Sequence, residues 1–215
     1  MTNKFKLLIF DWDGTLSDSV SRIAECMQIA AAEHQLPVPS HQQASNIVGL
    51  GLSQAVKSLF PTADNQLIAS ISHSYSSHYR SKANGPANFF PHVKEVLQQL
   101  KDQGYLLAVA TGKSHAGLER ELLASDLESF FHATRCADQT ASKPDPLMLE
   151  QLLDQFKLSA DKAIMVGDTT YDMEMAKNAN MPRLAVSYGA HAVEQLAAYQ
   201  PIVCIDSFLD IKNYL

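Results

Sequence analysis

The chain is short of the residues that would build it around anything but a hydrophobic core. Cysteine occurs three times in 215 residues, at Cys26, Cys136 and Cys204. Odd in number and widely spaced, these thiols argue against a disulfide framework or a cysteine metal centre and fit a reducing compartment. Nine glycines and nine prolines are too few and too scattered for collagen-like or low-complexity chain. Positive charge is also in deficit, with 17 Lys and Arg against 23 Asp and Glu, a formal −6. Binding to phosphate backbones or anionic lipid rests on an excess of Lys and Arg, so no nucleic acid and no membrane surface is expected as a partner. Apolar runs such as Leu7–Phe10 and Tyr105–Ala110 fall far short of the roughly 20 residues that span a bilayer. Met1–Lys6 runs into a strand-like segment without an export-signal pattern, so a cytoplasmic location is expected.

What is present is average for a globular protein: 46% apolar and 19% charged residues allow a sizeable core and exclude disorder and coiled coil. The length corresponds to about 1.4 domains at roughly 150 residues each. Short apolar runs alternate with helical patterns. Lys6–Phe10, Tyr105–Ala110, Ala163–Val166, Arg183–Val186 and Ile202–Ile205 read as buried parallel strands, with Phe130–Thr134 a weaker sixth. Helical stretches are expected at His92–Gln103, His115–Ala124, Pro146–Phe156, Tyr171–Asn180 and His191–Ala198. This alternation predicts an α/β fold with a doubly wound, Rossmann-like parallel sheet, its reactive groups beyond the carboxyl ends of the strands.

Residues 17–85 break the alternation. They hold no convincing strand and at least three amphipathic helices, with faces Ile23/Cys26/Met27/Ala30, Val48/Leu52/Val56/Leu59 and Leu67/Ile68/Ile71/Tyr75. An inserted helical domain is expected there, with Asp18 or Ser19 capping its first helix and turn residues 82–86 returning the chain to the sheet.

The first strand ends in Asp11-Trp12-Asp13-Gly14-Thr15-Leu16. Carboxylates at alternate positions suit a bound cation or a shared proton; an Asx-type turn at Asp13-Gly14 explains the hexapeptide equally well. A second acidic mouth, Asp168-Thr169-Thr170-Tyr171-Asp172, follows Val166-Gly167, and parallel strands bring both to one edge. Separate strand ends supplying carboxylate oxygens suit Mg2+, with capping of the following helix as the alternative for Asp172 and, less readily, for Asp168. Thr111-Gly112 offers a hydroxyl and an N–H at a helix start for an anion, and Lys143, in Ser142-Lys143-Pro144-Asp145-Pro146 where prolines restrict the backbone, a point charge for phosphate oxygens. Lys113 and His115 read as solvated helix-start residues as readily as substrate contacts. Gly49-Leu50-Gly51 lacks a preceding strand and is no dinucleotide fingerprint.

Taken in order, Asp11-Trp12-Asp13-Gly14-Thr15, Thr111, Lys143 and Gly167-Asp168-Thr169-Thr170-Tyr171-Asp172 resemble the four motifs of the haloacid dehalogenase superfamily. Within it, Asp13-Gly14-Thr15-Leu16-Ser17-Asp18-Ser19 and Ala110-Thr111-Gly112-Lys113 are similar to phosphoglycolate-phosphatase-like enzymes. The resemblance implies a core of residues 1–16 and 86–215 with a helical cap at 17–85. It implies Mg2+-dependent hydrolysis of a small phosphorylated metabolite, with Asp11 as nucleophile and Asp13 as general acid and base. Mg2+ would be held by Asp11, the Asp13 backbone carbonyl and Asp168, supported by Asp172, while Thr111, Gly112 and Lys143 hold phosphate. Arg22 and Arg80 are candidate cap cations for a substrate carboxylate, and the Gly49–Gly51 stretch a cap loop facing the site. A phosphomutase, a pyrophosphatase and a catalytically silent binding module are the alternatives; a dehalogenase is disfavoured by Asp13. Monomer and homodimer are both compatible with the sequence.

Overall fold

The computed structural model describes residues 4–82 and 87–215; most of the expected 82–86 turn lies outside them. Six strands, β1 (Leu7–Phe10), β2 (Leu106–Thr111), β3 (Ala133–Cys136), β4 (Ala163–Gly167), β5 (Arg183–Val186) and β6 (Cys204–Ile205), form one parallel sheet in the order 3-2-1-4-5-6. Chain direction reverses its progress across the sheet at β1, so the crevice beyond the β1 and β4 carboxyl ends is the place where ligands bind in such sheets.

The sheet is apolar on both faces at its centre, where β1, β2 and β4 are nearly unbroken runs of Leu, Ile, Val, Phe, Ala and Met. Leu8, Phe10, Val109 and Val166 pack on one face against α5 (Val93–Asp102) and Leu118 and Leu122 of α6 (His115–Ala124). Leu7, Ile9, Ala110 and Met165 pack on the other against α7 (Leu147–Phe156) and α8 (Thr170–Asn178). A short α9 (Val193–Ala197) covers the far edge. The weakest strand expectation is shifted: Phe130 belongs to a 3-10 turn and β3 begins at Ala133.

Between β1 and α5 the described residues contain no named strand and four helices, α1 (Val20–Glu33), α2 (His41–Ser45), α3 (Leu52–Leu59) and α4 (Asn65–Lys82). Their inner faces, including Met27, Ala30, Val56, Ile68 and Ile71, build an apolar cluster of their own. Val48 stands outside α3 and packs instead with Ile23, Cys26 and Tyr79. Ser19 occupies the N-cap position of α1, but its side chain makes no capping bond; neither it nor Asp18 caps the helix as expected, because the Ser19 hydroxyl is taken by Asp13.

Candidate active site

Strand register assembles the site. Phe10 pairs with Val109 and Val166, so the next residue of each strand lies at one edge, and the Asp11 N–H donates to the Val166 carbonyl at 2.9 Å. Asp11, Asp168 and Asp172 are fully buried and each brings a carboxylate oxygen within 4.8 Å of the others. Lys143, from the loop between β3 and α7, is also fully buried, with Nζ 2.7 Å from Asp11 Oδ1 and 2.6 Å from Asp172 Oδ1. The approach to Asp172 is a hydrogen bond. The approach to Asp11 is an ion contact outside hydrogen-bonding angles, so both Asp11 oxygens are buried without a hydrogen bond.

The neighbours divide the labour among the carboxylates. Asp168 Oδ1 accepts from Thr15 Oγ1 at 2.8 Å and Oδ2 from the Ala190 N–H at 2.7 Å. Asp172 Oδ2 accepts from the Thr169 N–H and hydroxyl, closing a reciprocal cap at the start of α8. The helix-capping alternative therefore describes one oxygen of Asp172 and neither of Asp168. Burial, reinforced by repulsion from Asp172, pushes Asp168 up to about 7. Burial likewise raises Asp11 well above the usual carboxylate range, with Asp172 and Asp168 adding to it and Lys143 opposing. For Lys143 burial works against the charge, but Asp11 and Asp172 outweigh it and hold the ammonium above its ordinary pKa.

Asp13 turns away from this cluster. Its Oδ1 accepts from the Ser19 hydroxyl at 2.7 Å and its Oδ2 lies 3.1 Å from Lys113 Nζ. Lys113 is not the solvated residue its helix-start position suggested. Its Nζ also sits 3.2 Å from Glu121 Oε1 and 3.3 Å from the Tyr79 hydroxyl. Glu121 also accepts from Trp12 Nε1 at 2.5 Å and from the Tyr79 hydroxyl at 3.1 Å. Trp12 thus adds a directed bond to its packing against Phe89 and Phe131. Arg22 is committed to the Tyr79 hydroxyl at 2.5 Å, whereas Arg80 lines a cavity at the site.

The remaining expected residues fall at the same edge. Thr111 is buried at the end of β2, and its hydroxyl oxygen accepts from the Lys113 N–H at 3.2 Å, which leaves its own proton to donate. Gly112 faces the Gly49–Gly51 loop so closely that a Cβ there would meet the Gly49 carbonyl oxygen at 2.4 Å. That loop therefore faces the site, pinned by the Gly51 N–H donating to Ser142 Oγ at 2.8 Å.

The sequence reading did not foresee the bonds of Thr15 to Asp168 and of Ser19 to Asp13, and it passed over Glu121 and His191 as site residues. His191 is buried, its Nδ1 accepting from the Thr170 N–H while Nε2 reaches the Asn46 carbonyl. Glu121 had a signal: it shares the inward face of α6 with Gly117, Leu118 and Leu122, an acidic residue at apolar spacing, which is rare without a partner.

The donor set fits a divalent cation. Three buried carboxylates against one ammonium leave a formal −2 in a water-poor setting, and of the Asp11 oxygens Oδ1 has the ion contact to Lys143 while Oδ2 has no hydrogen-bond partner. Hard oxygen donors with no thiol or imidazole among them suit Mg2+-type ions over Zn2+ or Cu2+. Among the described residues no helix is long and apolar enough to cross a membrane.

Known proteins are similar to this chain over nearly its whole length. The chain is 38% identical over 95% of its length, and 91% of the relative's, to IndB of Dickeya dadantii, named a probable phosphatase. It is 32% identical, over 97% of its length and 95% of the relative's, to a phosphoglycolate phosphatase of Aliivibrio fischeri. A haloacid dehalogenase-like family hydrolase from Streptococcus pneumoniae superposes with a TM-score of 0.85 at 26% identity, covering 100% of this chain and 99% of that one. The family model for haloacid dehalogenase-like hydrolases matches residues 8–186, from β1 with its aspartate pair through the four helices to the end of β5. The chain belongs to the haloacid dehalogenase-like hydrolase family.

Proposed function

We propose that this hydrolase is a phosphatase acting on a small phosphomonoester, with phosphoglycolate the first substrate to test. The observation that carries the reading is Asp11: a buried carboxylate at the mouth of the central strand, neither oxygen hydrogen-bonded, with a fixed ammonium 2.7 Å away. Such a group is poised as a nucleophile. Its attack on phosphorus would form an aspartyl-phosphate and release the alcohol, and water would then cleave the acyl phosphate, splitting one displacement into two.

Asp13 would protonate the departing alkoxide and later take a proton from the attacking water. Ser19 and Lys113 hold its two oxygens. The Thr111 hydroxyl, the Gly112 N–H and Lys143 would hold the phosphoryl oxygens, preorganised donors of the kind that stabilise charge in a transition state. Asp11, the Asp13 backbone carbonyl and Asp168 would hold Mg2+, with Asp172 supporting through Lys143 and Thr169. The bound ion supplies charge screening between an anionic nucleophile and an anionic phosphate. Residues 17–85 would be a cap over a core of residues 1–16 and 86–215. Support comes from the separate apolar cluster of α1–α4 and from Tyr171 and His191, which both reach the Asn46 carbonyl.

Inorganic phosphate release from p-nitrophenyl phosphate, with and without Mg2+, tests the reading. Wild-type protein should turn over only with the metal, and Asp11→Asn should keep the fold by circular dichroism while losing turnover. Undiminished turnover by Asp11→Asn would overturn it.

A further inference from the structure

A cavity of about 210 Å³ opens beside Asp13, between the helical segment and the sheet. A leaving group that takes its proton from Asp13 would lie in it. Met27, Ile47, Val48 and Ala55 make one wall apolar, while Ser76 and Ser114 add hydroxyls. Ser76 and Arg80 of α4, and Ala116 and Arg120 of α6, line it as i,i+4 pairs, so each helix turns one face to the cavity and each face brings a guanidinium.

The charge of this lining runs against that of the chain. Asp13 is its one carboxylate, against Lys113, Arg80 and Arg120, which leaves a formal +2 in a protein of net −6. Lys113 is held by Asp13 and Glu121, and the nearby Arg22 by Tyr79 and Glu121. Arg80 and Arg120 are exposed, and among the described residues neither side chain has an ion pair or a hydrogen bond. The phosphoryl group has its own proposed holders in Thr111, Gly112 and Lys143, of which only Gly112 lines this cavity. Two cations left over at a partly apolar cavity draw in a further anion, and the guanidinium fork matches the paired oxygens of carboxylate or phosphate.

Resting on the phosphatase reading, we propose that the leaving group carries an anionic oxygen group of its own, a carboxylate or a second phosphate, and that Arg80 and Arg120 are the specificity-determining residues that bind it. Phosphoglycolate meets this requirement; phosphate esters of neutral polyols do not.

The test compares kcat/KM at fixed Mg2+ and ionic strength within pairs of esters that differ only at the terminal group: phosphoglycolate with 2-hydroxyethyl phosphate, 3-phosphoglycerate with glycerol 3-phosphate, and propane-1,3-diol bisphosphate with 3-hydroxypropyl phosphate. Hydrolysis of p-nitrophenyl phosphate serves as the activity standard. The anionic member should lead by about 10-fold or more in at least one pair, the first two pairs reporting a carboxylate and the third a phosphate. Arg80→Gln and Arg120→Gln should each lower that ratio by on the order of 10-fold, and Arg120→Lys, which keeps the charge but loses the fork, by less. Because each ratio is taken within one variant, a general loss of activity cancels, and either arginine carries the test should the other variant not fold. Hydrolysis of p-nitrophenyl phosphate with the neutral ester level or ahead in all three pairs overturns the inference and leaves the phosphatase reading standing; no hydrolysis of any ester overturns both. Equal losses on the anionic and neutral members in the glutamine variants would assign the arginines to the phosphoryl group and overturn their part in selecting the leaving group.

Discussion

Lys113 Nζ stands 3.1 Å from Asp13 Oδ2 and, on its other side, 3.2 Å from Glu121 Oε1, so one buried ammonium is shared by two carboxylates. Burial alone opposes that charge, yet Asp13, Tyr79 and Glu121 together raise the lysine well above its ordinary pKa. The ion pair fixes one oxygen of Asp13 as Ser19 fixes the other, and Trp12 locks Glu121 from behind.

Lys113→Met should therefore disturb the proposed acid more than the proposed nucleophile. We expect kcat to fall on the order of 100-fold for alkyl phosphates, which need a proton on the leaving oxygen, and much less for p-nitrophenyl phosphate. Steady-state kinetics on both esters measures it. Equal losses would assign Lys113 to phosphate binding instead of to Asp13.

Lys143 invites a test of stability. Among the described residues its ammonium is the one positive charge paired with the buried Asp11 and Asp172 carboxylates. Removing one partner of a buried pair leaves charge uncompensated, at a cost of about 3–5 kcal/mol. Urea unfolding of metal-free Lys143→Ala should show a loss of that order, and Mg2+ should restore more stability to the variant than it adds to wild type, because the cation replaces the missing charge. A variant as stable as wild type without metal would mean the carboxylates shed their charge by protonation.

The strand ends carrying Asp11, Thr111 and Asp168 were legible because parallel apolar runs have one carboxyl edge, and register alone brings their successors together. The inward turn of Lys113 was not legible. One position past Gly112, at a helix start, a lysine can point either way, and only the placement of Glu121 and Tyr79, separated from it in sequence, decides. The same holds for Ser19: its N-cap position follows from sequence, but whether the hydroxyl serves the helix or Asp13 depends on where the strand end lies. The Gly49–Gly51 loop lies inside the periodicity read from Val48 to Leu59, yet the helix begins only at Leu52, and the loop's meeting with Gly112 is a tertiary fact.

The pH dependence of the metal-free protein follows from Asp168. Its carboxyl is pushed up to about 7, first by burial and then by Asp172, against about 3.9 when unfolded. Between those values the folded state binds more protons than the unfolded state, so stability is fully present below about pH 4 and declines as pH rises through about 7. Asp11, raised in the same direction, adds to the trend. Urea midpoints without metal should fall from about pH 5.5 to about pH 8, and saturating Mg2+ should flatten or reverse the decline, since a cation favours the ionised carboxylates. A midpoint rising with pH in the absence of metal would contradict the burial of these groups.

Gly112 tests how tightly the helical segment closes on the sheet. A Cβ at this position would lie 2.4 Å from the Gly49 carbonyl oxygen and 2.5 Å from that of Leu50, distances at which backbone must move. The Gly49–Gly51 loop has little freedom to yield, because the Gly51 N–H is bonded to Ser142 Oγ and the nearby Asn46 carbonyl accepts from Tyr171 and His191. Gly112→Ala should therefore displace the loop by on the order of 1 Å, a shift that at a reacting site can cost about 100-fold in kcat/KM. The sheet beneath is untouched, so the stability penalty should stay within the roughly 1–3 kcal/mol typical of local overpacking. Kinetics and thermal unfolding on the same preparation separate the two effects: a large kinetic loss with a small stability loss assigns the contact to closure, whereas parallel losses assign it to folding.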